Sequence, residues 1–381
     1  MKNKEGLKMQ FIDLHAQYLD LKNEIDANIQ KVLDHGKYIM GPEVAELEAE
    51  LADYVGVKHC ITCANGTDAL QMVLMAWGIK EGDAVFVPSF TFMSTAEVAS
   101  LEGATPVFVD IDPRTFNICE KSLEEQIEKI IAEGKLKPKA IIPVDLFGQP
   151  ADFDAIMPIA KKYNLLVLED GAQGFGGSIN GKMACSFGDA ATTSFFPAKP
   201  LGCYGDGGAV FTDDDDLAAL LKSIRIHGKG IEKYDNVRIG LNTRLDTIQA
   251  AVLLPKLKAF KNYELDKRNE IAAKYTAALK DNYKTPVVSE GMISSWAQYT
   301  LLFDSATERD AMQAKLKDAG VPSMVYYPRP LHLQACYKYL GYPEGSLPNA
   351  EKACHGVLSL PMSPWISEED QDKVIKVLLE M

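Results

Sequence analysis

Apolar residues recur at helical spacing between residues 17 and 35, at Tyr18, Leu21, Ile25, Ile29, Val32 and Leu33, and Gly36 ends the run. Pro42 then opens a second helix with Val44, Leu47, Leu51 and Tyr54 on one face, closed by Gly56. From there the period shortens and lengthens in turn. Short apolar runs at 84–88, 106–109, 139–144, 165–169, 190–195 and 208–211 read as strands. Helical stretches lie between them at Thr67–Trp77, Thr95–Leu101, Leu123–Ala132, Asp152–Lys162 and Asp216–Ile226. Such alternation predicts an α/β fold whose mainly parallel sheet is covered on both faces.

The pattern changes near Leu245. A long helical stretch from Thr247 to Leu279 is broken only by Pro255. After it come a strand near Gln298–Phe303, a helix at Glu308–Ala319 and a last helix at Glu368–Leu379. The reading is a large domain over 1–255 and a smaller C-terminal α+β domain over 256–381, as expected for a chain of 381 residues. No repeat or low-complexity linker interrupts it.

Forty basic against fifty-three acidic residues give a formal charge of −13, which argues against a nucleic-acid surface. The opening Met1-Lys2-Asn3-Lys4-Glu5-Gly6 has no apolar core, and no stretch approaches eighteen apolar residues. The expected location is the cytoplasm, away from membranes. Cys60 and Cys63 form a CxxC, but no second such pair or nearby His completes a metal site, so both read as small buried residues. Gly174-Phe175-Gly176-Gly177 and Gly205-Asp206-Gly207-Gly208 lack the third glycine of a dinucleotide fingerprint, with Ile179 and Val210 standing there.

Three features do carry chemistry. Lys199 lies in Ser194-Phe195-Phe196-Pro197-Ala198-Lys199-Pro200, poor in charge and bracketed by prolines. Partial burial there lowers an amine's pKa and favours the neutral nucleophile. The apolar run Leu165–Leu168 ends in Glu169-Asp170, and Asn65-Gly66-Thr67-Asp68 opens a helix. An amine, an acid at a strand end and an anion-binding helix start are the fixtures that pyridoxal phosphate (PLP) requires. In a parallel sheet all three would lie beyond the carboxyl ends of the strands.

The motifs resemble, almost end to end, the DegT/DnrJ-type PLP-dependent nucleotide-sugar aminotransferases of fold type I. They are Tyr38–Val44, Asn65–Leu70, Pro88-Ser89-Phe90-Thr91-Phe92, Glu169–Gln173, Ser194–Lys199, Gly205–Ala209 and Asn242-Thr243-Arg244-Leu245-Asp246. The stretches Lys199–Gly208 and Ala297-Gln298-Tyr299-Thr300 look closest to the branch that aminates C3 of a UDP-linked 2-acetamido-2-deoxy-3-oxo-hexuronic acid. Those enzymes use L-glutamate as donor on the way to O-antigen sugars of lipopolysaccharide.

The resemblance implies that Lys199 binds the cofactor covalently and shuttles the proton, and that Asp170 pairs with its ring nitrogen. It implies that Gln173 bonds the phenolic oxygen, that Phe92 stacks on the ring, and that Gly66, Thr67 and Ser194 hold the phosphate. Asn242 would reach the phosphate in the neighbouring subunit of a homodimer with shared sites. Arg244 would hold a carboxylate, and Tyr326, Tyr327 and His332 would meet the sugar. Two positions depart from the pattern: Tyr326 stands where His is common, and Gly171 where Ala is usual. Family members that dehydrate sugars have His in place of the lysine, so Lys199 favours transamination. The rivals are amination of a dTDP-3-oxo or 4-oxo 6-deoxyhexose, and a PLP-binding regulatory protein without turnover.

Overall fold

The computed structural model describes residues 9–232 and 234–380. Its centre is a sheet of seven strands: β1 (His59–Cys63), β2 (Asp83–Pro88), β3 (Thr105–Val109), β4 (Lys137–Ile141), β5 (Leu166–Asp170), β8 (Ala190–Ser194) and β9 (Gly208–Thr212). The strand order is β1-β9-β8-β5-β4-β2-β3, and β9 alone runs against the rest. Two short strands, β6 (Ser178–Ile179) and β7 (Lys182–Met183), form a separate small sheet with β10 (Met292–Ile293).

Alternate residues of each strand face opposite sides, and both sides are apolar. Ile61, Val85, Val87, Phe108, Ile142, Leu168 and Val210 pack under α3 (Gly66–Ala76) and α4 (Ser94–Leu101), with α7 (Asp215–Ile224) beside them. On the other side Phe86, Val107, Val109, Ile141 and Val167 meet α5 (Glu120–Glu133) and α6 (Phe153–Tyr163). Cys60, Ala191, Ala209 and Phe211 meet α2 (Pro42–Val55) and α8 (Thr247–Ala259). The first helix, α1 (Leu14–His35), starts on Asp13, whose carboxylate accepts the Ala16 N–H at 2.8 Å, and stops at Gly36 with φ 67°.

The helical stretch after residue 247 breaks at a different place from the one its sequence suggests. Pro255 lies inside an unbroken α8. The Ala251 carbonyl, left without its helical donor because proline has no N–H, instead accepts the Asn28 side-chain amide of α1 at 3.3 Å. The interruption is a π turn at Phe260–Glu264, after which α9 (Leu265–Leu279) continues. Leu253, Leu254, Leu257 and Phe260 still belong to the large-domain core, whereas Ile271, Ala272 and Tyr275 join a separate one. The change of core thus falls near residue 265, ten residues beyond the division the pattern suggests.

That second core contains β11 (Tyr299–Leu302) paired antiparallel with β12 (Val357–Leu360), under α10 (Ala306–Asp318) and α12 (Glu368–Leu379). The segment between is not confined to it. Leu331, Tyr337, Leu347 and Ala350, the last on α11 (Pro348–Gly356), pack into the large-domain core against Phe108 and its neighbours. No helix among the described residues is long and apolar enough to cross a membrane.

Candidate active site

The carboxyl ends of β5 and β8 and the start of α3 meet in one place. Ser194 pairs with Gly208 of β9, and Gly208 pairs with Cys63 of β1, three residues before α3 begins. The approach is close: a Cβ on Gly66 would lie 2.7 Å from Ser194 Cβ, and one on Gly208 would lie 2.5 Å from the Asn65 backbone. These glycines let the helix start sit on the strand ends. Asn65 caps α3 by accepting the Asp68 N–H at 2.8 Å. The N–H groups of Gly66 and Thr67 stand in the first turn, where no helical carbonyl can meet them. The Thr67 and Ser94 hydroxyls bond each other at 2.7 Å beside them.

Asp170 ends β5 and is 6% exposed. The Thr95 hydroxyl donates to its Oδ2 at 2.8 Å, and the Ala172 N–H approaches Oδ1 at 3.3 Å. Burial raises its pKa above the usual carboxylate value, while Thr95, Lys199 and Ala172 pull it back. Lys199 follows Pro197-Ala198 in a turn held by its own N–H to the Phe196 carbonyl at 2.8 Å. Its amine is shifted downward by burial, and Asp170 opposes that shift. A buried carboxylate beside a partly desolvated amine is the arrangement the sequence implies for these two residues.

Phe92 is 56% exposed at the edge of this cleft, and its ring lies 6.3 Å from that of Tyr327. Gln173 is buried. Its Oε1 accepts the Phe147 N–H at 2.8 Å, and its Nε2 donates to the Tyr327 hydroxyl at 3.2 Å. Tyr326 is half-buried against Phe11, with ring centroids 6.2 Å apart. Asn242 is exposed and Arg244 half-buried, and the Arg244 guanidinium donates to Asn242 Oδ1 at 2.5 Å. Their segment is tied next to the α3 start by the Ala64 N–H to Thr243 Oγ1 bond of 3.0 Å.

His332 is placed differently from the sugar contact the resemblance implies. It is 1% exposed and both ring nitrogens are engaged: Nδ1 with Ser89 Oγ at 2.6 Å and Nε2 with Glu351 Oε1 at 3.1 Å. The ring is a buried tie between the chain after Tyr327 and the end of β2, so it has no edge left for a ligand. Gly171 is also more than a small residue standing for another. A Cβ there would come within 2.5 Å of the buried Cys185 Sγ.

Two residues escaped the sequence reading. Thr95 supplies the hydroxyl on Asp170, and the signal for it was only its place in the first turn after Phe92. Asp145, fully buried, lies behind the same turn: a Cβ on Gly174 would approach its Oδ2 to 2.2 Å. Nothing in its sequence neighbourhood marks it.

The donor set fits PLP. The site offers an amine, a buried carboxylate that lacks a full set of donors, and free amides with hydroxyls at a helix N-terminus for a phosphate. The DegT/DnrJ/EryC1/StrS aminotransferase family model matches residues 19–379. The chain is 51% identical over 359 residues to UDP-2-acetamido-2-deoxy-3-oxo-D-glucuronate aminotransferase of Pseudomonas aeruginosa, covering 94% of this chain and 96% of that protein. It is 45% identical to a pleiotropic regulatory protein of Geobacillus stearothermophilus, covering 98% of each. Among solved structures it resembles a DegT/DnrJ/EryC1/StrS aminotransferase from Brucella abortus, with 54% identity, TM-score 0.94 and coverage of 97% and 98%. NtdA from Bacillus subtilis, solved with bound cofactor PMP, superposes with TM-score 0.87 at 32% identity, over 99% of this chain and 86% of that one.

Proposed function

The chain belongs to the DegT/DnrJ/EryC1/StrS aminotransferase family, and from that premise we propose that it transfers the amino group of L-glutamate to C3 of UDP-2-acetamido-2-deoxy-3-oxo-hexuronic acid, with PLP as cofactor. The products are 2-oxoglutarate and the 3-amino sugar nucleotide, and the two half-exchanges leave the overall reaction redox-neutral. The observation that carries the reading is the Lys199–Asp170 pair, set beside the α3 N-terminus in a chain 51% identical to an aminotransferase of that substrate.

When bound, the cofactor would supply an aldehyde carbon that carries the amino group and an electron-withdrawing ring that makes the exchange possible. The chain's residues do the rest. Lys199 Nζ, its pKa lowered by burial, accepts a proton from the reacting carbon and returns it. Asp170 would hold the cofactor's ring nitrogen protonated, since a buried carboxylate favours a cationic neighbour. The Gly66 and Thr67 amides and the Ser194 hydroxyl bind the phosphate dianion. Phe92, exposed at the cleft edge, would stack on the cofactor ring, and Gln173, whose Nε2 also donates to the Tyr327 hydroxyl, would bond the phenolic oxygen. Arg244 offers a two-pronged guanidinium to a carboxylate of donor or uronate. Asn242, exposed in one chain, serves the site of a second copy in a homodimer. The cytoplasm is the proposed location, and cell-surface polysaccharide such as O-antigen the proposed destination of the product.

The regulatory name of the Geobacillus relative favours a second reading, a PLP-binding protein without turnover. One assay separates them. Purified protein is given L-glutamate and a panel of keto nucleotide sugars, and 2-oxoglutarate is measured. Turnover with the UDP-linked uronate above the dTDP-linked 6-deoxy sugars supports the proposal. A preference for the 6-deoxy sugars removes the uronate, and no 2-oxoglutarate with any sugar leaves the regulatory reading.

A further inference from the structure

Directly behind Asp170 lie two carboxyl groups that the reaction does not use. Glu169, the residue before it on β5, and Asp145 are each fully buried. Asp145 is bound to the Asp170 turn twice over. Its N–H donates to the Asp170 carbonyl at 3.1 Å, and its side chain fills the space left by the missing Cβ of Gly174. The two carboxyls close on the same glycine: a Cβ on Gly171 would lie 3.6 Å from Asp145 Oδ2 and 2.5 Å from the Sγ of Cys185, whose N–H binds Glu169.

Their other partners differ. Glu169 Oε1 accepts the Cys185 N–H at 2.5 Å, and Oε2 accepts the Phe187 N–H at 2.8 Å. Asp145 Oδ1 accepts the Ala151 N–H at 2.9 Å, but no N–H or hydroxyl donates to Oδ2. Two ionised carboxylates in contact, both cut off from water, would repel with nothing between them. A single proton resolves the contact, and the existing donors favour one place for it: both Glu169 oxygens already accept backbone N–H groups, which stabilise its ionised form, and Asp145 Oδ2 accepts none. On Glu169 the proton would weaken the two backbone N–H bonds that favour its charged form. On Asp145 Oδ2 it fills an empty place.

We propose that Asp145 and Glu169 share one proton, carried on Asp145 Oδ2, and that this buried pair is a positioning element that fixes the Asp170 carboxylate at the floor of the active site. Above about pH 7 the pair is a monoanion, so it locks the Asp170–Gly174 turn with one buried charge, not two. The charged and titratable groups around it are Asp170 on β5, Cys185 and Lys182 on the β6–β8 side, and Lys199 beyond Asp170. Burial and the neighbouring carboxylate hold the Asp145 proton well above the normal carboxylate range, and Glu169 stands at about 7. The role toward Asp170 rests on the aminotransferase reading. The placement of the proton does not.

Asp145→Asn tests it, because its amide replaces the proposed O–H donor and its oxygen still accepts from Ala151. The asparagine variant cannot titrate at this position. The folded wild type holds a proton that the unfolded chain sheds above about pH 4. Wild-type stability therefore falls as pH rises from about 4 toward the raised pKa of Asp145, and the variant lacks the Asp145 share of that fall. Melting temperatures of the two proteins are measured from pH 5 to 8.5, together with the pH titration of the bound cofactor's absorbance. The expected result has three parts: the melting temperature of D145N minus that of the wild type rises steadily with pH; D145N keeps activity within about threefold; and Glu169→Gln, which puts an NH2 opposite a backbone donor, loses at least tenfold and shifts the absorbance titration. Parallel melting curves for wild type and D145N would overturn the shared proton. A D145N protein as impaired as Asp145→Ala, with E169Q near wild type, would put the proton on Glu169 and overturn the assignment. If the melting curves behave as expected but neither E169Q nor D145A moves the absorbance titration, the pair is not a positioning element for Asp170.

Discussion

Replacing Thr95 with valine removes one hydroxyl and little else from the floor of the site. Thr95 is fully buried, and its Oγ1 is the shorter of the two donors to Asp170, at 2.8 Å against 3.3 Å from the Ala172 N–H. A hydrogen bond to a charged group contributes about 1.5–3 kcal/mol, and its loss here strands a buried carboxylate oxygen. Because the hydroxyl favours the ionised form, its loss raises the Asp170 pKa further. Asp170 already titrates above the usual carboxylate value, so the variant widens the interval over which the folded state holds a proton that the unfolded chain has lost. Stability then falls more steeply with rising pH than in the wild type. Urea unfolding of both proteins at pH 5 and pH 8 measures this. The expected destabilisation is about 1.5–3 kcal/mol at pH 8 and clearly smaller at pH 5. An equal loss at both pH values, or a loss below about 0.5 kcal/mol at pH 8, would refute the reasoning that Thr95 stabilises the carboxylate.

Lys199→Ala is expected to fold and to lose covalent cofactor and turnover altogether. Because the folded lysine's pKa is lowered, charging it costs the folded state at low pH, so the variant's melting temperature should gain on the wild type more at pH 7 than at pH 10. Arg225→Ala removes a guanidinium that bonds Glu48 at 2.6 Å and the Thr62 carbonyl at 2.9 Å, with Arg225 only 4% exposed; urea unfolding should show a loss of about 3 kcal/mol, since Glu48 is left without its counter-ion. Mixed Lys199→Ala and Asn242→Ala subunits should regain activity that neither has alone, and heterodimers that form without regaining it would sink the shared-site proposal.

Much of the fold was legible because the sheet is buried on both faces, and its long apolar runs signal strands at β2, β3, β5 and β9. What escaped was short or polar. β1, His59–Cys63, contains His, Thr and two Cys, and its partner β9 decides its place. β12 is four residues long, follows α11 directly, and is placed by its pairing with β11. Pro255 promised a break that Asn28 makes unnecessary. In the site, Lys199, Asp170, Ser194 and the Gly66-Thr67 turn were visible because their chemistry goes with local motifs. Thr95 and Asp145 were not, because they reach Asp170 through space, from α4 and from the turn after β4. His332 shows the opposite error. A motif placed it near the sugar, while Ser89 and Glu351 turn it into the core.

The most direct test of the account is borohydride reduction of the purified protein, followed by proteolysis and mapping of the pyridoxyl-bearing peptide. The account predicts a yellow protein whose cofactor is fixed on Lys199, within the peptide that contains Ser194-Phe195-Phe196-Pro197-Ala198. A colourless protein that takes up no PLP, or a label on any other lysine, would contradict it.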